Sequence, residues 1–488
     1  MAHTKSFGRP LTILFLASIL QASPVQASLG PSLAVSAAAT SMPAVLQAST
    51  AENSSAKSVS RITGHWRSSD AVAIPDSKHP QAPSDLSANL ELSAAPGSAR
   101  LDRMILLLAP SAAQQKALQA ELAAQLNPAS PEYHKWLTPS AFADAYSNSP
   151  SDVAAVSAWL TSQGFQVAPL PASRGWIEFS GTIAEVEQAF HTQVDSLSTS
   201  SGTRFVLTQS VSIPAALVPV VQGLVSLDGA LSSPALTQPQ PLTISADGLA
   251  SQTSLGHSAA LTPQLAAQLL HFDMLHASGT TGAGQTIAVA ARSNVNATDI
   301  AAFRAAFGLP ASALRILPIG ADPGFTPDQA EATLAVSWVG TAAPGAQITL
   351  APAATTEATD GLDLSLAAIV DQELAHTVAV GYSTCENALS AAHQAFYAAL
   401  YQQAAAEGIT VIAASGDSGA SACHAAGNAT PVTSGYAVNA LASTPWNTAV
   451  GVAAFGIAGP SAGTSAFRRP IFSKCASSIS SRASGKRS

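Results

Sequence analysis

The order of predicted elements implies two folded units in series, a compact α+β domain followed by an α/β domain with a parallel sheet. Three observations carry this. Between about Arg100 and Leu227, strand-like and helix-like segments follow one another as β-α-α-β-α with short loops. From Gln285 to Ala414, short apolar runs suited to buried parallel strands alternate with helical segments. The 488 residues are 47% hydrophobic and only 10% charged. That is too apolar for a disordered chain, and long enough for roughly three units of about 150 residues.

Residues 1–27 read as a secretory signal peptide. Lys5 and Arg9 give a positive start, Leu11–Leu20 is an apolar stretch, and Val25-Gln26-Ala27 offers small residues for cleavage after Ala27. The competing reading is a short buried N-terminal helix. The stretch is too short to cross a bilayer, and no later one reaches about 18 uninterrupted apolar residues. The expected location is therefore secreted, extracellular or periplasmic, with no membrane span and with disulfides permitted.

Residues 28–95 are Ser-, Ala- and Pro-rich and read as a mostly flexible leader. Residues 96–230 form the α+β unit. A strand at Met104–Leu108 precedes a helix at Ala112–Leu126, and a second helix at Ser151–Gln163 stops at Gly164. A strand at Trp176–Phe179 and a helix at Ile183–Phe190, capped by Thr182, complete the pattern. Residues 231–262 are Ser-, Pro- and Gln-rich and read as a linker.

Residues 263–451 form the α/β unit. Strands are expected at Gln285–Ala291, Gln347–Ala351, Thr377–Tyr382 and Ile409–Ala414. Helices are expected at Thr298–Phe307, Asp328–Val339, Leu362–Leu374 and Leu389–Glu407, the last closed by Gly408. Polar residues just past the strand ends are where a site belongs in such a sheet.

Charge and cysteine usage exclude several classes. The chain has 21 Lys and Arg against 29 Asp and Glu, a net −8, with no basic run before its last residues, so a nucleic-acid partner is not expected. Three cysteines without CxxC spacing make neither a disulfide scaffold nor a structural zinc site.

Directly after the last strand comes Ser415-Gly416-Asp417-Ser418-Gly419. One reading makes Ser418 a nucleophile, because Gly-Asp-Ser-Gly also surrounds the serine of trypsin-like proteases; those are β-barrels, whereas here a helix and a parallel strand precede the motif. A second reading is a plain Gly-rich turn. A third follows from the wider pattern. Ser130–Pro139 (SPEYHKWLTP), Gly164-Phe165, Phe179-Ser180-Gly181-Thr182 with Val186–Phe190, and Pro214-Ala215-Ala216-Leu217 resemble the activation prodomain of the sedolisin/kumamolisin serine-carboxyl peptidases. Trp338–Ala346 (WVGTAAPGA), the Gly-Asp-Ser-Gly turn and Thr444–Gly451 (TPWNTAVG) resemble their catalytic domain.

The resemblance implies a subtilisin-like parallel-sheet catalytic domain preceded by a ferredoxin-like α+β prodomain. It implies a secreted, acid-acting endopeptidase precursor whose partners are protein or peptide substrates and its own prodomain as intramolecular inhibitor. Carried over to this chain, Glu331 is the general base, Asp417 the oxyanion donor and Ser465, in Gly463-Thr464-Ser465-Ala466, the nucleophile. Gly381, Tyr382 and Ser383 bind substrate backbone, and Cys385 pairs with Cys423. A loop of about 38 residues closed by that disulfide contributes roughly 3–4 kcal/mol on the chain-entropy estimate. A glutamate suits acid: its pKa of about 4–5 leaves it ionised where an imidazole is already protonated. A protonated aspartate can donate to the oxyanion.

The chain departs from the pattern in two places. The aspartate that should orient the base four residues on is Ala335, and the usually acidic position 337 is Ser337. By analogy with triad lesions this costs on the order of 10³–10⁴ in rate. Glu331 is then either a base or a solvated helix carboxylate. Second, Trp446 and Ser465 are only 19 residues apart. That leaves an incomplete catalytic domain and no room for the family's C-terminal calcium site, so no cofactor is expected. Residues 452–488, basic and Ser-rich, are expected to be a foreign tail from a frameshifted or truncated reading frame, with Ser465 a coincidental match. The alternative function is a catalytically dead relic acting as a binding or inhibitory module.

Weaker signals remain. Gly282-Ala283-Gly284 precedes its strand rather than following it, so it is no dinucleotide fingerprint. Asn53, Asn296 and Asn428 lie in sequons. His134 reads as packed or capping, and Tyr133 and Trp136 as core anchors.

Overall fold

The computed structural model describes residues 58–75, 92–199, 202–234, 243–244, 250–251, 262–311, 313–416 and 436–451. The expected signal peptide, Asp417, Ser418, Cys423, Ser465 and the tail from 452 onward lie outside the described residues.

The first sheet belongs to the α+β unit. Its strands β1 (Arg100–Leu108), β2 (Gln166–Val167), β3 (Trp176–Thr182) and β4 (Val221–Leu224) lie in the order β2-β3-β1-β4, all antiparallel. With helices α1 (Ala112–Gln125), α2 (Pro139–Tyr146), α3 (Pro150–Ser162) and α4 (Ile183–Phe190), this is the ferredoxin-like arrangement. The helix starts are written locally. Ser111 and Gln114 form one capping box, Thr182 and Glu185 another, and Pro139 and Pro150 occupy first turns. Gly164 ends α3 with φ +98°.

The apolar run in β1 is explained by burial on both faces. Met104, Leu106 and Leu108 enter the domain's own core with Trp159, Phe179 and Phe190. Ile105 and Leu107, on the opposite face, join the core of the α/β unit with Leu362, Phe396 and Tyr401. Trp176 meets Phe396 edge to face at 6.1 Å. Gly223 in β4 lies so close to the following domain that a Cβ there would sit 2.8 Å from that of Ala392.

The α/β unit is a six-stranded, wholly parallel sheet. In chain order its strands are β5 (Thr286–Ala291), β6 (Ala313–Ile316), β7 (Gln347–Pro352), β8 (Thr377–Val380), β9 (Thr410–Ala414) and β10 (Thr448–Val450). In space they run β6-β7-β5-β8-β9-β10. Helices α5 (Ala297–Ala306), α6 (Gln329–Ala342), α7 (Gly361–Asp371) and α8 (Ala391–Ala406) connect them. α6 packs with Ile287, Val289 and Ile348, while α7 and α8 pack with Ala288, Val378 and Val411, so both faces are covered.

Three expectations need correction. Part of the supposed leader is fixed: Ala71–Ala73 pairs with Ser212–Pro214, Leu92–Ala94 pairs with Val194–Thr199, and the Asp152 carboxylate accepts from the backbone N–H of Arg61 and Ile62. Backbone donors recruited by one buried carboxylate outweigh the local composition. Tyr133 and Trp136 are 39% and 43% exposed rather than core. They form a stack with His134 between them, and Trp136 covers Gly408, whose φ is +72°. Third, the strand expected to run to Tyr382 ends at Val380, and Tyr382–Ser383 leaves the parallel sheet for another partner, Ser233–Pro234.

Where α8 ends, Glu407 is 2% exposed. Its carboxylate accepts from Gln403 Nε2 at 2.9 Å, and burial, aided by the charges of Glu373 and Asp371, pushes the carboxyl up to about 8. A carboxyl raised on folding contributes stability that is complete below about pH 4.5 and is lost as pH rises through about 8. Glu407→Gln is expected to flatten the pH dependence of the melting temperature over that range and to melt above the parent at pH 8. An unchanged profile would show that Glu407 is not buried as described.

Candidate active site

The carboxyl ends of the parallel strands meet where the sheet order reverses, around β5, with β7 on one side and β8 on the other. Four polar groups collect there. Arg292 directly follows β5, Asp328 precedes α6, Asp360 caps α7, and Tyr382 follows β8. Arg292 Nη2 lies 2.6 Å from Asp328 Oδ2, and Nη1 lies 3.3 Å from Asp360 Oδ1. The guanidinium stands 5.1 Å over the Tyr382 ring, and the backbone N–H of Arg292 donates to the Tyr382 hydroxyl at 3.3 Å. Burial opposes the charge on Arg292, but Asp360 and Asp328 outweigh it and raise its hold on the proton. Burial likewise pushes the carboxyl of Asp360 up, and the Arg292 charge with bonds from Ser232 and Leu362 brings it below its ordinary value.

The α+β unit reaches into this place with the segment that follows β4. Asp228, buried, lies 2.8 Å from His393 Nδ1, and Asp363 lies 3.1 Å from His393 Nε2. Tyr397 donates to Asp363 Oδ1 at 2.6 Å. Burial alone would discharge His393, yet the two carboxylates raise its pKa well above the ordinary value. Asp228 is lowered by His393 against the effect of burial, whereas burial leaves Asp363 raised. Beyond Asp228 the chain passes Ser232, bonded to Asp360, and then Ser233 and Pro234 pair antiparallel with Ser383 and Tyr382. Arg204 spans both units, donating to the carbonyl of Thr356 at 2.6 Å.

Of the residues singled out in the sequence, the structure brings together Glu331, Gly381, Tyr382 and Ser383. Glu331 sits in the first turn of α6 and is 1% exposed, so the solvated-carboxylate reading is wrong. Its charge, with that of Asp328, reaches Tyr382, whose phenol burial drives upward. Ala335 points into the core with Ile287, Val289 and Val336, and Ser337 is also buried. Cys385 is 8% exposed and bridges to Asn439; its expected partner Cys423 lies outside the described residues. Gly416, with φ +89°, approaches Ser383 at the end of β9. Sequence reading missed Arg292, Asp328, Asp360, Asp228 and His393. The available signal was a charged residue next to a strand end in a chain with few charges. Among the described residues no group of His, Cys, Asp and Glu is disposed to hold a metal ion, and no helix is long and apolar enough to cross a membrane.

The α+β unit thus packs on the α/β unit, and the segment leaving it pairs with Tyr382–Ser383 just past the end of β8. Residues 88–229 match the family model described as Pro-kumamolisin, activation domain. That match covers the α+β unit and stops before the parallel sheet begins, so what it identifies is a Pro-kumamolisin-type activation domain. Among solved structures it is similar to Pseudomonas sedolisin, a serine-carboxyl proteinase, complexed with two molecules of pseudo-iodotyrostatin. The identity is 25%, the TM-score 0.30, and the match covers 35% of this chain and 48% of that one. The chain thus spans about half the length of that structure's chain. No curated protein matches it.

The Asp228–His393 pair ties the two units at a buried point, which yields a test. Stability from the lowered Asp228 is present above its ordinary pKa and lost as pH falls through its folded value; that from the raised His393 is present below about pH 6.5 and lost as pH rises through its own. The pair is therefore at full strength between about pH 4 and 6.5. Asp228→Asn removes one partner of a buried ion pair and is expected to cost about 3–5 kcal/mol in that window. Chemical denaturation at pH 5.5 measures it; a loss under about 1 kcal/mol, the range of an exposed pair, would contradict the burial.

Proposed function

We propose that this chain is the precursor of a secreted, acid-acting serine-type endopeptidase held closed by its own activation domain. The observation that supports it is the seating of Ser233–Pro234 along Tyr382–Ser383, beside buried Glu331. A strand added to this edge is how an extended peptide would bind, so the activation segment occupies the substrate's place.

In the proposed reaction the Ser465 hydroxyl attacks the peptide carbonyl while Glu331 takes its proton, and protonated Asp417 donates to the oxyanion. Glu331 passes that proton to the leaving amine as the C–N bond breaks; water then attacks the acyl-enzyme, Glu331 taking its proton and returning it to the Ser465 oxygen as the acid product leaves. Gly381, Tyr382 and Ser383 hold the substrate backbone. Residues 1–27 would direct export, and the exported chain would pair Cys385 with Cys423. Acid suits this chemistry because a carboxylate still supplies a base where an imidazole is already protonated, while a protonated aspartate can donate to the oxyanion.

A second reading has a specific observation behind it. Position 335 carries an alanine buried among aliphatic side chains, where an orienting carboxylate should stand. On that reading the chain is a catalytically dead binding or inhibitory module.

Peptidase assay of the purified chain near pH 4 separates the two. The peptidase reading expects slow acid-dependent cleavage, abolished by Ser465→Ala and by Glu331→Gln, and raised on the order of 10³–10⁴ by Ala335→Asp. No cleavage by the parent or by Ala335→Asp, or cleavage indifferent to Ser465→Ala, would leave the module reading.

A further inference from the structure

The chain's own segment shows what the carboxyl edge of the sheet accepts at one particular position. Ser233 pairs with Ser383 and is exposed, whereas the preceding Ser232 is 3% exposed and turned into the α/β unit. In an extended strand alternate side chains face opposite ways, so position 232 is the one the domain reads. Ser232 meets a single acceptor there. Its backbone N–H donates to Asp360 Oδ2 at 2.7 Å and its hydroxyl to the same oxygen at 2.6 Å.

Asp360 cannot turn away from this contact. Its Oδ1 accepts from the N–H of Leu362 at 3.0 Å, capping α7, and lies 3.3 Å from Arg292 Nη1. Arg292 is in turn clamped by Asp328 and backed by the Tyr382 ring. Arg292 in contact and Arg204 within electrostatic reach already face the carboxylate, with Asp363 among the charges around them. A compact neutral donor gains a charge-assisted hydrogen bond without displacing either. The surroundings also limit size, since Asp360, Arg292 and Ser232 are all nearly inaccessible.

We propose that Asp360, oriented by Arg292, is a specificity subsite that selects a serine-sized hydroxyl residue in an extended peptide, at the position preceding the one paired with Ser383. Ser232 fills it as a built-in substrate mimic. The peptide-binding seat stands on the contacts above; only its use by substrates rests on the peptidase reading.

The test uses the full chain with Ser, Ala or Lys at position 232. Hydrogen exchange over residues 228–234 at pH 6 reads occupancy of the seat, and exchange in Thr286–Ala291 controls for general unfolding. Loss of a hydrogen bond to a charged group is worth about tenfold or more, so Ser232→Ala and Ser232→Lys are expected to exchange about tenfold faster than the parent, with the control unchanged. Equal protection in Ser232→Ala, or greater protection in Ser232→Lys, would overturn the subsite. A second arm compares acid cleavage of two peptides that differ only by Ser or Ala at this position. Preference for Ser by about tenfold in kcat/KM extends the seat to substrates, and cleavage indifferent to the exchange overturns the substrate role. Selective protection with neither peptide cleaved would keep the seat for the chain's own segment and count against the peptidase reading instead.

Discussion

An imidazolium enclosed between two carboxylates, one from each folded unit, is the constraint on which the rest of this structure turns. His393 belongs to the α/β unit and Asp228 to the activation domain, and both are buried, so each charge depends on being paired there. Asp363 and Tyr397 complete the enclosure from α7 and α8. The pair therefore fixes where the activation domain ends relative to the parallel sheet. Four residues past Asp228 the chain meets Asp360, and then Tyr382–Ser383. The position of the segment over the edge is thus a consequence of a charge that cannot be left unpaired.

Apolar packing does for area what that pair does for position. β1 is buried on two faces because its sheet has helices on one side and the α/β unit on the other. Gly223 permits the close approach of β4 to α8, and Trp136 lies over Gly408 at the far end of the same helix. Leu137 N–H and Gln125 Nε2 both donate to the Ala406 carbonyl, so the last turn of α8 is capped by the activation domain. An α8 built this way is shared between the two units.

Features set by near neighbours were legible in the sequence. The capping box at Thr182, the glycine stops at 164 and 408, and the strands at 286–291, 347–352 and 410–414 depend on residues within a turn or on a run of apolar side chains. α2 was missed because its eight residues include a proline, which reads as a breaker until Thr138 is seen to cap it. The hairpin Val194–Thr199 with Gly202–Leu207 is Ser- and Thr-rich, and the edge strand Ala313–Ile316 is short and half exposed, so neither gives a strong period. In the candidate site, resemblance singled out Glu331 and Tyr382–Ser383, and the structure places Glu331 buried in the first turn of α6 and Tyr382 against Arg292. Arg292, Asp360, Asp228 and His393 were not legible, because each acquires meaning only from a partner tens of residues away.

If the activation domain and the parallel sheet share one core around α8 and one buried charge pair, they cannot unfold separately. Differential scanning calorimetry of the intact chain at pH 5.5 measures this directly. A single transition whose calorimetric and van't Hoff enthalpies agree is the expected result. Two resolved transitions, the first abolishing the activation domain's structure while the α/β unit stays folded, would contradict the shared core.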